Sequence, residues 1–234
     1  MERKILVVDT SGPVCGVAVM AGDRVLCEFI SLNKNTHSAN LMPMIDGAFQ
    51  MAGTELKDMD ALVAVTGPGS FTGVRIGVAT VKGLAHGAGK PCIAVDALEA
   101  LSRSAGEQQG IVCPIQDARA GQIYGAAFRN GERLMPDSAM KVDDYIRQVC
   151  ELAPGDPLIF VGDGAPVHRE RLTELLGERA VFPSAFLSYL RPSAAGQIAL
   201  EKGKAVCFTD LKETYLRAPN AEKNKKLLEA MGHE

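Results

Sequence analysis

The stretch TGPGSFTGVRIG, Thr66–Gly77, sets Gly67, Gly69, Gly73 and Gly77 directly after the apolar run ALVAV at 61–65. A glycine-rich turn from a strand into a helix suits phosphate chemistry, because backbone amides and the helix dipole both favour an anion. The spacing fits neither common nucleotide loop. A Walker loop needs GxxxxGK[ST], and the first lysine after these glycines is Lys82. The dinucleotide pattern GxGxxG fails by one residue, since Gly67 and Gly69 lead to Gly73. What the stretch offers instead is small residues: Gly73, Gly77, Ala79, Gly83, Ala85 and Gly87, beside an apolar stripe of Val74, Val78, Val81 and Ala85. Each helical glycine costs about 1 kcal/mol against alanine, so close packing must compensate. A Gly73–Gly77 step admits a backbone at short range, whether of the chain's own sheet or of a partner helix on the opposite face.

Two aspartates hold equivalent places. Asp9 ends the run KILVV and Asp117 the run IVCPIQ, and each opens a short polar turn, DTSGP or DARAG. Asp9, Thr10 and Ser11 either satisfy their own turn, as Asx and Ser/Thr turns do, or face a nucleotide cleft together with Asp117 and with Gly162 and Gly164 of the turn GDGAP. Arg119 stands where a compact residue would admit phosphate; it pairs with Asp117 or Asp9, or binds an anion. The histidines at 37, 86, 168 and 233 include no pair four residues apart, so no HxxxH metal site is expected. Ser11, Ser38 and Ser70 have no evident His–Asp partners, which argues against a peptidase. The six cysteines form no CxxC pair. Cys15, Cys92 and Cys113 fall in apolar runs, where buried free thiols are expected, as in a reducing cytoplasm.

The elements that must position these groups follow in order. KILVV (4–8), VCGVAVM (14–20) and RVLCEFI (24–30) read as three strands in a meander. Ser38 caps a helix that carries Leu41, Ile45, Ala48 and Ala52 on one face and stops at Gly53. Met42, Met44 and Met51 add adaptable apolar surface to it. ALVAV is a buried strand, the glycine stretch opens a helix to about Gly87, PCIAV (91–95) is a strand, and Ala97–Ser104 is helical. The second half repeats this plan: IVCPIQDARAGQIYGAAF (111–128) lies over ILVVDTSGPVCGVAV (5–19), with Asp117 on Asp9. A helix at 142–152, a strand at 158–162 and a helix at 167–176 follow. The doubled order is the ribonuclease-H-like one of the actin–hexokinase–sugar kinase superfamily, so an actin-like α/β fold with two lobes is expected. Their bounds would be 1–108 and 109–234, with a hinge near 108–110 and a helix at 193–203 packing back on the first lobe.

DTS (9–11), HSANLMPMI (37–45), TGPGSFTGVRIG, KPCIAVDALEAL (90–101), DARAGQIY (117–124) and TYLRAP (214–219) together resemble the TsaB (YeaZ) family, over nearly the whole chain. These are bacterial accessory proteins in the synthesis of threonylcarbamoyladenosine on tRNA. The resemblance implies a non-catalytic scaffold that binds the catalytic subunit TsaD through its first-lobe helices, works with TsaE, and forms a homodimer in isolation. On those helices, here about 38–52 and 71–87, the expected contacts are Leu41, Met42, Met44, Ile45, Phe71, Gly73, Val74, Gly77, Val78 and Val81. TsaD carries a His-x-x-x-His metal pair just after the strand matching PCIAV; here those positions are Ala97 and Leu101, which cannot ligate. No catalytic residue and no cofactor of its own are therefore expected, with ATP or ADP and magnesium entering at the level of the complex. The rival reading is an independent ATPase or small-molecule kinase that uses Asp9 and Asp117.

Bulk composition sets outer limits. With 234 residues, 47% hydrophobic and 23% charged, the chain can bury substantial cores. A net charge of −3 provides no global field for nucleic acid, so tRNA contact is expected only through the complex. The cluster Lys223, Lys225 and Lys226 reads as a solvated tail. The N-terminus enters a strand rather than a signal peptide, and no apolar segment reaches the roughly 20 residues of a membrane span.

Overall fold

The runs KILVVD and CGVAVMA carry almost no polar alternation, which is the pattern of strands covered on both faces. That is how they sit. The computed structural model describes residues 2–33 and 35–217, and the lysine cluster at 223–226 and His233 lie outside that range. The first sheet runs β11–β5–β4–β1–β2–β3: β1 (Lys4–Asp9), β2 (Cys15–Ala21), β3 (Arg24–Ser31), β4 (Ala61–Val65), β5 (Cys92–Val95) and a short β11 (Ala205–Val206). β1 pairs antiparallel with β2 and parallel with β4. The second sheet runs β10–β9–β6–β7–β8: β6 (Ile111–Asp117), β7 (Gln122–Arg129), β8 (Glu132–Lys141), β9 (Leu158–Val161) and β10 (Ala180–Val181). Its pairings repeat those of the first, so each lobe is a ribonuclease-H-like unit and the whole is actin-like.

Helices α1 (His37–Ala52), α2 (Phe71–Ala88) and α3 (Ala97–Ser104) belong to the first sheet by sequence, and α4 (Val142–Leu152) and α5 (Gly164–Leu176) to the second. α6 (Pro192–Lys202) lies on β1 and β2: a Cβ at Gly196 would come within 2.2 Å of Met20 Sδ, so a larger residue there would have to displace that side chain. Ala195, Ile198 and Ala199 join Ile5, Val7 and Met20 in a core cluster that also takes in Val112 and Ile159 of the second sheet.

The structure departs from the sequence reading in several places, among them the start of α5 at Gly164 rather than 167 and the short strands β10 and β11. α1 starts at His37, with Thr36 rather than Ser38 as N-cap, and no side chain caps it. The strand β8 was not foreseen, because ERLMPDSAMK is polar and carries Pro136; it survives as the outermost strand of its sheet, where a missing N–H is tolerated. After α6 the chain returns to the first lobe. Leu211 is buried in the α1–α2 core, Lys82 Nζ donates to Leu211 O at 2.9 Å, and Thr214 N donates to Thr66 O at 2.7 Å.

Candidate ligand cleft and docking face

The ends of β1 and β6 bring the two aspartate turns together across a cleft of about 390 Å³. Ser11, Gly12 and His37 form one wall, Gln116–Arg119 and Asp163 the other, and Tyr215 and Arg217 close it from the returning segment. The two aspartates fare differently. Asp9 is 1% exposed and its Oδ1 accepts from Ser11 N at 2.8 Å and Ser11 Oγ at 2.7 Å. Burial pushes its carboxyl up to about 6, against the Ser11 hydrogen bonds and the nearby His37. Thr10 Oγ1 donates to Gly73 O at 2.7 Å. Asp9 and Thr10 thus satisfy the turn and tie it to α2, and Asp9 does not line the cleft.

Asp117 stands nearer solvent. It accepts from Arg119 N at 2.9 Å and pairs with the Arg119 guanidinium at 3.4 Å. Arg119 and Ala120 adopt φ values of 65° and 53°, as this tight turn demands. Gly162 and Gly164 press on strand β6: a Cβ would meet Ile115 O at 2.2 Å and 3.0 Å. They seat the start of α5 and leave Asp163 between them facing the cleft. Sequence reasoning overlooked Asp163, whose only signal was its place inside GDGAP. Burial first, then the neighbouring Asp117, raises its carboxyl to about 6, while the Asp117 backbone N–H opposes this. Gln116, also overlooked, is 5% exposed and its Oε1 has no hydrogen-bond partner.

The magnesium nucleotide implied by actin-like ATPases fits this arrangement poorly. Asp9 is almost wholly buried, and both hydrogen bonds it accepts come from Ser11 to one oxygen, so the turn itself already engages the carboxylate a cation would need. Among the described residues, no group of three or more His, Cys, Asp or Glu could hold a metal ion. The chemistry the cleft retains is a set of polar side chains with the cations Arg119 and Arg217 at its rim.

Most of the helix residues expected to dock a partner are turned into the core. Leu41, Ile45, Val74, Val78 and Val81 are 0–1% exposed in the α1–α2 core, and Gly73 and Gly77 are buried as well. A Cβ at Gly73 would sit 2.1 Å from Thr10 O, and one at Gly77 2.4 Å from Thr10 Oγ1. The small-residue step serves the chain's own β1 turn, so these seven residues present no surface to a partner. Phe71 is half-buried under Tyr215, with ring centroids 4.9 Å apart and the Arg75 guanidinium 3.7 Å over it. Met42 and Met44 keep exposed surface, as does Met51. The side of α2 that faces solvent carries Thr72, Ile76, Ala79, Gly83 and Gly87, spaced for one helical face. A Cβ at Gly83 or Gly87 would meet nothing within 4 Å.

Residues 25–233 match the family described as TsaD: tRNA N6-adenosine threonylcarbamoyltransferase. The tRNA threonylcarbamoyladenosine biosynthesis protein TsaB of Bacillus subtilis is 33% identical over 222 residues, covering 93% of this chain and 96% of that protein. The crystal structure of YeaZ from Pseudomonas aeruginosa superposes with a TM-score of 0.74 at 26% identity, covering 92% of this chain and all of that one. The Acidaminococcus fermentans (R)-2-hydroxyglutaryl-CoA dehydratase component A, at a TM-score of 0.51 and 10% identity, shares the fold alone. By sequence over nearly its whole length, and by fold, the chain belongs to the TsaB (YeaZ) family.

Proposed function

We propose that the chain is a non-catalytic scaffold subunit in tRNA N6-threonylcarbamoyladenosine synthesis, binding the catalytic subunit TsaD and working with TsaE. Family membership assigns it a role in that biosynthesis. The observation that carries the scaffold reading is the solvent face of α2, where Gly83 and Gly87 leave a thin helix surface, while Met51 of the neighbouring α1 is exposed as well. Two helical glycines open to solvent contribute nothing to the monomer and cost helix stability, which is reasonable where another helix must approach. In isolation a second copy of the chain covers this face. ATP or ADP with magnesium belongs to the assembled complex, and tRNA contact is made through it.

The rival reading, an independent ATPase or kinase, has the cleft in its favour and against it an Asp9 that is buried and bound by Ser11. Two substitutions separate the readings. Gly83→Arg, at a position with open space, is expected to leave the fold intact and abolish co-purification with TsaD. Association that survives Gly83→Arg sinks the docking face. Magnesium-dependent ATP turnover by the purified chain, lost in Asp117→Asn, would establish the rival.

A further inference from the structure

The two lobes also meet at a charge cluster away from the cleft. Arg133 of β8 directs Nη2 to Asp96 Oδ1 at 2.9 Å and stands 3.7 Å from Glu99 Oε2, while Nη1 binds Asp137. Asp96 is the N-cap of α3 and also accepts from Glu99 N at 2.7 Å. Glu99 pairs in addition with Lys202 of α6. The remaining neighbours are neutral or engaged elsewhere. β7 supplies the Phe128 ring, 4.6 Å beneath the Arg133 guanidinium, and the un-ionised Tyr124, whose pKa burial raises further. Arg129 of β7 binds Asp156, and Arg103 of α3 binds Glu201.

The charges do not balance. Three carboxylates (Asp96, Glu99, Asp137) face two cations (Arg133, Lys202), and Lys202 is 56% exposed. The Asp137 side chain is 15% exposed and that of Glu99 14%, so water screens the excess negative charge poorly. A proton retained by one of the carboxyls is the usual resolution of such crowding.

We infer that Asp137 carries a proton where it meets Arg133 and Asp96 across the lobe junction, making the contact of β8 with α3 a proton-dependent clamp. Burial, then the adjacent Asp96, pushes the Asp137 carboxyl up to about 8, with Arg133 opposing. The folded value is raised above the ordinary 3.8, so the clamp is fully favoured below about 3.8 and loses strength as pH rises toward about 8. Above that the effect levels off, because both the closed and the open forms are then ionised. The loss is at most about tenfold in the closed-to-open ratio for each pH unit.

Amide hydrogen exchange on the full chain tests this, corrected for the intrinsic pH dependence of exchange. From pH 6 to pH 8 the opening of α3 and β8 amides should rise by up to about a hundredfold and then flatten. Asp137→Asn, which mimics the protonated acid, should remove that slope while leaving α1 and α2 amides unchanged. An unchanged opening ratio from pH 6 to 8 in the wild type, or the same slope in Asp137→Asn, overturns the clamp. Carboxyl carbon NMR of the unmodified protein gives a second reading that needs no variant. A titration midpoint for Asp137 near 8 supports the bound proton, and one below about 5 refutes it.

Discussion

Two glycines on one helix, ten residues apart, should respond in opposite directions to the same methyl group. At Gly73 a Cβ would lie 2.1 Å from Thr10 O, more than 1 Å inside the 3.4 Å of ordinary contact, and the obstacle is backbone. Either α2 lifts or the β1 turn moves, and both break the 2.7 Å hydrogen bond from Thr10 Oγ1 to Gly73 O. Overpacking costs about 1–3 kcal/mol and the buried hydrogen bond about 1 more, while helix propensity returns about 1. Gly73→Ala is therefore expected to destabilise by about 1–3 kcal/mol. At roughly 2–4 °C per kcal/mol for a chain of this size, the thermal midpoint should fall by about 2–12 °C. At Gly83 nothing lies within 4 Å, so Gly83→Ala gains only the propensity of about 1 kcal/mol, and its midpoint should rise by about 2–4 °C. Circular dichroism melts of the two variants and the parent decide the matter. Equal shifts, or a stabilised Gly73→Ala, would refute the assignment of Gly73 to the β1 turn.

Other outcomes follow from the buried groups. Asp9, fully buried and raised to about 6, makes its stability contribution below about 3.8 and loses it as pH rises through 6. Asp9→Asn keeps the acceptor for Ser11 and should stabilise the protein at pH 8 by about 3 kcal/mol, with no gain at pH 3; equal melts at pH 8 would sink this reading. Among the cysteines, burial pushes Cys15 up to about 11 and Cys113 to about 12, while Cys207 is exposed and its thiol lowered by hydrogen bonds at Thr209. Iodoacetamide at pH 8 followed by peptide mapping should label Cys207 first, and early labelling of Cys113 would contradict its burial.

The doubled α/β plan was legible because its strands are near-continuous apolar runs and its turns are marked by Asp, Ser and Gly. Those signals are local, so they survive in a bare sequence. β8 left no such trace: an edge strand is polar on its open side, and its pairing with β7 is a long-range fact. The cleft was half legible. Asp117 stood out because its turn repeats that of Asp9, whereas Gln116 and Asp163 acquire meaning only when two distant turns converge.

The glycine stretch divides the two kinds of information most clearly. Its sequence alone excluded the common nucleotide loops and announced a helix thin enough for close packing. It did not say which side of that helix turns inward. Gly73, Val74, Gly77, Val78 and Val81 were nominated for a partner, yet they are covered by Thr10, the sheet and Leu211, which reaches α2 from the far end of the described chain. Helical periodicity defines faces relative to one another. Only the tertiary structure, through contacts between residues far apart in the chain, decides which face meets the core and which, at Gly83 and Gly87, is left to solvent.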